Sequence, residues 1–393
     1  MPSMTGWITS AIFLACAAFG AAAGEAPIVV GAAVSQSGSH ARLAADYRKA
    51  LLLWQDEVNA AGGLLGRQVE LRLVDDHSEG ARAGAAYAEL IRDGASLLIG
   101  PFGSAATLAA AAEADRAHRV MVNGAGPSGQ VYKRAQRYVF QSVAPYSSYG
   151  AGVLELAKSA ERQSLFILAR SDAASAEMGE AAREHALKLG FNVPPLEVYS
   201  GGDVDFLPLV AKARAAKVDA WIAFGEARDA ADMVKSLKRS GYAPRLFYAR
   251  DSSDPQFISL VGQDAEFTLG SKEYDARFAT PQNEKFVKAY TAKWSARPGP
   301  AAAAGYAAAT VLARAVERAG VLDQEKLRSA LSTLEIDTVL GPYKVAPSGE
   351  QIGIKPAVIQ IVRGRAQLVW PPAWSGTRQV LPYAQWNERR ILR

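Results

Sequence analysis

The 393-residue sequence contains a single cysteine, Cys16, inside its apolar N-terminal stretch. The body of the chain therefore offers neither a disulfide nor a thiolate metal site. Its four histidines, His40, His77, His118 and His185, stand far apart, and no H-E-x-x-H or nucleophile-elbow motif occurs. The usual templates for metal-assisted hydrolysis and nucleophilic catalysis are thus missing, and no cofactor or metal is called for. Beyond the N-terminus no uncharged run is long enough to cross a bilayer. Charge of one sign is not concentrated either: the net +5 is dispersed, and Lys133-Arg134 and Arg389-Arg390 are the densest basic pairs. Nucleic acid is not an expected partner.

What is present begins with an address. Met1 to Gly24 carry no charged side chain, Trp7 to Phe19 form an apolar core, and Ala21-Ala22-Ala23 offers small residues for cleavage. This reads as a signal peptide over residues 1–23, although a basic n-region is missing. Export to the periplasm follows. The alternative is a lipoprotein anchored through Cys16, since Phe13-Leu14-Ala15-Cys16 faintly matches such a cleavage site.

From Pro27 short apolar runs alternate with amphipathic ones. Strands are expected over Ile28–Val34, Val69–Val74, Leu97–Ile99, Val120–Val122, Tyr138–Val143, Leu165–Leu168, Val218–Phe224 and Leu246–Tyr248. Helices are expected over Leu43–Ala60, Ala83–Arg92, Tyr149–Ala160 and Ala301–Ala319. Val339–Val345 reads as a strand containing Gly341-Pro342, Val358–Val362 pairs with Ala366–Val369, and the Trp- and Pro-rich tail is irregular. Strands separated by helices mean right-handed βαβ units and parallel sheets, and there are too many for one sheet. The fold class is α/β, with two doubly wound lobes and ligands beyond the carboxyl ends of the strands.

One such end is Ile99-Gly100-Pro101-Phe102-Gly103-Ser104. Ser104 falls where an N-cap belongs, ahead of a helix from Ala105, so the Gly103 and Ala105 amides and the Ser104 hydroxyl offer donors to a small anion. Gly124-Ala125-Gly126-Pro127-Ser128-Gly129 matches G-x-G-x-x-G, the one enzymatic lead. Pro127 removes a donor there, and no acid about 20 residues on would hold a ribose. Asp75-Asp76 reads as a turn and cap pair.

Ile28-Val29-Val30-Gly31, the run Asn59-Ala60-Ala61-Gly62-Gly63-Leu64-Leu65-Gly66-Arg67, Val74-Asp75-Asp76, Ile99-Gly100-Pro101, Asp205-Phe206, Gly305-Tyr306 and Leu340-Gly341-Pro342-Tyr343 occur in that order. In this the chain resembles the periplasmic solute-binding proteins of the branched-chain and hydrophobic amino-acid ABC importers. The resemblance implies a type I binding-protein fold with three hinge crossovers, placed near Pro145, Tyr274 and Gly341. Lobe 1 would be 27–144 plus 275–340, and lobe 2 would be 145–274 plus 341–393.

It implies a non-enzymatic receptor, a monomer that closes on a small solute (an amino acid, amide or aromatic carboxylate) and delivers it to an inner-membrane ABC permease. A sensing module for a signalling partner, or an exported enzyme using Gly124–Gly129, are the alternatives. Ser104 matches the family's carboxylate-binding serine, with Phe102 and Gly103 beside it. Ala125, Gly126 and Ser128 lie in the loop that completes this site, Ser128 standing in for a hydroxyl that Pro127 displaces. Asp251 matches the acid that pairs with a ligand ammonium. Leu43, Ser175 and Glu226 stand where relatives place aromatics, so the side-chain part of the pocket departs from the pattern. Arg250 and Arg170 either bind a second acidic group or are rim charges.

Overall fold

The computed structural model describes residues 25–134, 136–375 and 377–388. The expected signal peptide, its cleavage site and Cys16 lie outside the described residues.

The first part of the chain gives β1 (Ile28–Ala33), α1 (Ala41–Ala60), β2 (Val69–Val74), α2 (Gly80–Arg92), β3 (Leu97–Ile99), α3 (Ser104–Arg116), β4 (Met121–Asn123) and β5 (Val139–Gln141). Its five strands are all parallel, in the order β2-β1-β3-β4-β5. The middle part gives α4 (Ala151–Ser159), β6 (Leu165–Arg170), α5 (Ala173–Lys188), β7 (Glu197–Tyr199), α6 (Leu207–Ala215), β8 (Ala220–Phe224), α7 (Ala227–Arg239), β9 (Leu246–Ala249), α8 (Pro255–Val261) and β10 (Leu269–Lys272). Then come α9 (Asn283–Trp294), α10 (Pro300–Ala319), α11 (Gln324–Thr333), β11 (Ile336–Thr338), β12 (Gly341–Tyr343), β13 (Ala357–Val362) and β14 (Arg365–Trp370). The second sheet runs β14-β13-β10-β9-β8-β6-β7, with parallel pairings except β10–β13 and β13–β14, so that β13 alone runs against the rest.

Continuous burial of β1, β3, β4 and β8 follows from helices on both faces, which is why these strands read as unbroken apolar runs. Helices α9, α10 and α11 return to the first sheet, α10 packing along α1. The chain passes between lobes three times, and one apolar core continues through the crossovers by way of Val143, Tyr149, Tyr274, Phe278, Tyr343 and Ile354.

Several expectations are corrected. The single strand over Val339–Val345 is instead a hairpin, β12 pairing with β11 across Val339-Leu340. The third crossing, expected near Gly341, is drawn out. Tyr343 still donates to Leu331 O at 3.1 Å, and the Gln141 amide donates to Gly349 O at 2.9 Å, so this stretch leans on the first lobe well past Gly341. Strands β7 and β10 were not expected. Each is short, and Glu197, Gly270 and Ser271 break any apolar pattern. The Asp75-Asp76 pair opens a turn, as expected, Asp76 O accepting from the Glu79 amide at 2.9 Å, but neither aspartate caps the helix: the N-cap of α2 is Glu79. Asp75 accepts from the His77, Gln36 and Ser37 amides, and those bonds outweigh burial to hold its carboxyl down at about 2.

Candidate functional site: the cleft between the lobes

The first wall follows β3 and β4. Gly103 has φ +95°, and a Cβ there would lie 2.9 Å from the His40 ring, so only glycine fits this turn. Because Gly103 takes the cap position, Ser104 is the first residue of α3 and not its N-cap, one residue from the expected place. The Gly103 amide, expected to face an anion, instead donates to Ala125 O at 3.0 Å. Ser104 Oγ accepts from the Ser128 amide at 3.3 Å, which joins the two loops. Phe102 packs edge-on against His40 and Tyr47.

Asn123 shapes the second loop. Its Oδ1 accepts from the Ala125 and Gly126 amides at 3.2 and 2.8 Å, while its Nδ2 donates to Gly126 O at 2.7 Å. Gly126 has no room for a side chain, since a Cβ would meet Thr107 Oγ1 at 2.3 Å. These glycines therefore serve packing. A 3-10 helix, Gly129–Arg134, follows the loop in place of the α-helix that the dinucleotide fingerprint needs directly after its glycines, so the dinucleotide reading of Gly124–Gly129 fails.

The floor comes from the crossovers. The Tyr146 amide donates to Pro127 O at 3.0 Å, which ties the first crossover to the second loop. Tyr149 packs edge-on against Tyr146 and donates to Glu273 Oε1 at 2.7 Å.

The opposite wall follows β9 and β6. Arg250 Nη2 donates to Asp251 Oδ2 at 2.7 Å, and Arg250 Nη1 lies 3.9 Å from Glu273. Arg250 Nε is buried without a partner among the described residues. Burial works against the Arg250 charge, but Asp251 and Glu273 more than offset it, and its pKa is raised. Burial pushes the Asp251 carboxyl up to about 6, with Arg250 pulling the other way and Glu273 adding to the rise.

From α5, Glu177 reaches the first wall. Its Oε2 accepts from Ser128 Oγ and its Oε1 from the Gly129 amide, both at 2.7 Å.

The structure thus brings Phe102, Gly103, Ser104, Ala125, Gly126 and Ser128 into one wall, with Arg250 and Asp251 near the same tyrosine floor. The other expected residues stand differently. Ser175 is buried in the first turn of α5, its amide donating to Asp172 Oδ1 at 2.9 Å. Glu226 is the N-cap of α7 and is ion-paired with Arg170, which also lies 3.7 Å from both Asp172 and Asp229. That network occupies Arg170. Leu43 is 45% exposed on α1. Sequence reasoning missed Glu177, Tyr146, Tyr149 and Glu273. Tyr146 directly follows the expected hinge residue Pro145, a signal that was available; the others had none.

This is the geometry of a hinged two-lobe binding protein. The periplasmic binding protein family matches residues 27–366, and the chain belongs to that family. It is 23% identical over 296 residues to the leucine-, isoleucine-, valine-, threonine- and alanine-binding protein of Pseudomonas aeruginosa, covering 75% of this chain and 79% of that one. Among solved structures it resembles a putative branched-chain amino acid ABC transporter protein from Rhodospirillum rubrum. The TM-score is 0.79 at 21% identity, over 88% of this chain and all of the other. It also resembles an ABC-transporter solute-binding protein from Rhodopseudomonas palustris BisB5 in complex with 3,4-dihydroxybenzoic acid. That TM-score is 0.68 at 20% identity, covering 86% and 95%.

Proposed function

We propose that this chain is the periplasmic solute-binding component of an ABC importer, a monomer that closes its lobes on a small carboxylate or amino-acid-like solute. The observation that carries this is the chemistry of the first wall. Ser128 Oγ and the Gly129 amide already hold a carboxylate, that of Glu177, at 2.7 Å each. The amino acids bound by the Pseudomonas relative and the dihydroxybenzoate of the Rhodopseudomonas protein share one group, a carboxylate. Ser104 and Ser128 receive that group, and Asp251 answers an ammonium or N–H group from the other lobe. Binding needs both lobes, so closure is itself the signal that a permease reads. The moving bodies are 27–144 plus 275–340 and 145–274 plus 341–393, the latter bending over the drawn-out third crossover. An N-terminal signal peptide, residues 1–23, exports the chain.

A thermal-shift series tests this with L-leucine, L-alanine and 3,4-dihydroxybenzoate against isoamylamine, ethylamine and catechol. A ligand at a hundred times its Kd stabilises the native state by about 2.7 kcal/mol. At least one acid is expected to raise Tm while its decarboxylated counterpart does not. Equal shifts from acid and counterpart would remove the carboxylate from the reading.

A further inference from the structure

Glu177 belongs to the second lobe, on a helix packed against β6 and β8, yet its carboxylate is bonded to the first lobe. We propose that Glu177 is a built-in closing residue: it spans the cleft to Ser128 and Gly129, holds the lobes together without solute, and competes with a solute's carboxylate for those donors.

Three observations support this. Both oxygens are engaged, Oε2 with a hydroxyl and Oε1 with a main-chain amide, and charge-assisted bonds of this kind are stronger than neutral ones. The receiving loop is rigid. Asn123 bonds its backbone on both sides, Ser128 N is tied to Ser104 Oγ, and Gln130 N donates to Ser128 Oγ at 3.3 Å. A rigid loop transmits a pull to its whole lobe. Finally, Glu350 from the third crossover flanks the same glycine. A Cβ on Gly129 would lie 3.2 Å from Glu177 Oε1 and 3.3 Å from Glu350 Oε1. Burial and the Glu177 charge raise the Glu350 pKa. The two carboxylates repel, so Glu177 stays at Gly129 because of its two donors and in spite of its neighbour.

A solute acid that enters must take those donors from Glu177. The selectivity of the cleft then depends on an internal competitor as well as on its lining. The competition rests on the carboxylate reading above, whereas the cross-lobe bond does not, and the experiment addresses the bond in solute-free protein.

Amide hydrogen exchange at Gly129 and small-angle scattering would be measured on the solute-free parent, Glu177→Ala and Glu177→Gln proteins. Loss of one charge-assisted hydrogen bond corresponds to about ten- to a hundredfold faster exchange. Glu177→Ala is expected to show that acceleration at Gly129 together with a larger radius of gyration. Glu177→Gln keeps one acceptor oxygen and should fall between. Unchanged exchange of the buried β1 amides in both variants certifies the fold. Gly129 exchange at the parent rate in Glu177→Ala would overturn the proposal. So would faster exchange with an unchanged radius, because the bond would then tether a loop and not the lobes.

Discussion

Arg250 and Asp251, adjacent in sequence, are also partners in space: the guanidinium donates to the carboxylate at 2.7 Å from within a 3-10 turn after β9. The pair sits in the cleft with Glu273 beside it and Tyr149 bonded to Glu273. The Asp251 charge is therefore already half-neutralised by Arg250, and its burial has consequences that can be measured.

The first is a pH dependence. Folding raises the Asp251 pKa to about 6, above the ordinary aspartate value of about 3.9. The folded state thus favours the protonated form. Its contribution to stability is fully present below the unfolded pKa and is lost as pH rises through 6. With allowance for the solvent that still reaches this side chain, the loss is about 1–2 kcal/mol. Between pH 5 and 7 calorimetry should show the parent losing more stability than Asp251→Asn. Parallel profiles would mean that Asp251 titrates normally.

The second concerns the two ends of the solute. For an amino-acid ligand, Asp251→Ala leaves a desolvated ammonium unpaired and should weaken binding by about 2–5 kcal/mol. Ser104→Ala removes one hydroxyl but spares the Gly129 amide and Ser128, so about 1–2 kcal/mol is expected. Titration calorimetry with the best amino acid from the thermal-shift series decides it. An Asp251→Ala protein that binds that amino acid as tightly as the parent would end the amino-acid reading of the cleft.

The third concerns the turn before α3. Gly103 combines φ +95° with the His40 ring 2.9 Å from any Cβ. Gly103→Ala should cost about 1–3 kcal/mol through backbone strain and displace His40. The readout is a Tm several degrees below that of the parent, with Gly62→Ala as a comparison where φ is +101° but nothing lies within 4 Å. Equal losses in the two variants would mean that the contact with His40 contributes nothing.

The fourth concerns the tail. Residues after 366 lie outside the family match, yet Trp374 stacks obliquely on Phe278 with ring centroids 5.2 Å apart and touches the position of Gly341. Phe278 and Gly341 lie close to the second and third of the proposed crossovers, so the tail would brace both. Removing this half-buried ring with Trp374→Ala should cost about 1–3 kcal/mol by lost packing. A Tm equal to that of the parent would show the tail to be an ornament on the hinge.

The fifth concerns export. Protein recovered from the periplasm should have an intact mass that begins near Gly24 or Glu25 and lacks Cys16. A diacylated Cys16 would establish the lipoprotein alternative, and an uncut chain in the cytoplasm would remove the signal peptide.

Much of the fold was legible in the residues. Alternating apolar runs and helical periods placed most of the strands and helices, and the loops after β3, β4 and β9 were identified as strand ends that could meet a ligand. Ser104 was found one position from its role, because helix capping by a positive-φ glycine resembles a serine cap in sequence. The hairpin β11–β12 and the strands β7 and β10 were not legible, since three or four residues with polar or glycine positions carry no period of their own. Partners across the ladder hold them there.

By itself the sequence determined the α/β alternation, the two-lobe division and the positions of Ser104, Ser128, Arg250 and Asp251 just beyond strand ends. Those properties follow from local chemistry: side-chain period, β-branching and turn-forming glycine. Tertiary structure alone decided that Glu226 belongs to Arg170, that Arg250 closes on Asp251 with Glu273 behind it, and that Glu177 meets Ser128 and Gly129 from the other lobe. Glu177 and Ser128 are 49 residues apart in the chain, one on α5 and the other in the loop after β4. No periodicity connects them, and the carboxylate finds its donors only when the two lobes are packed side by side through their shared core.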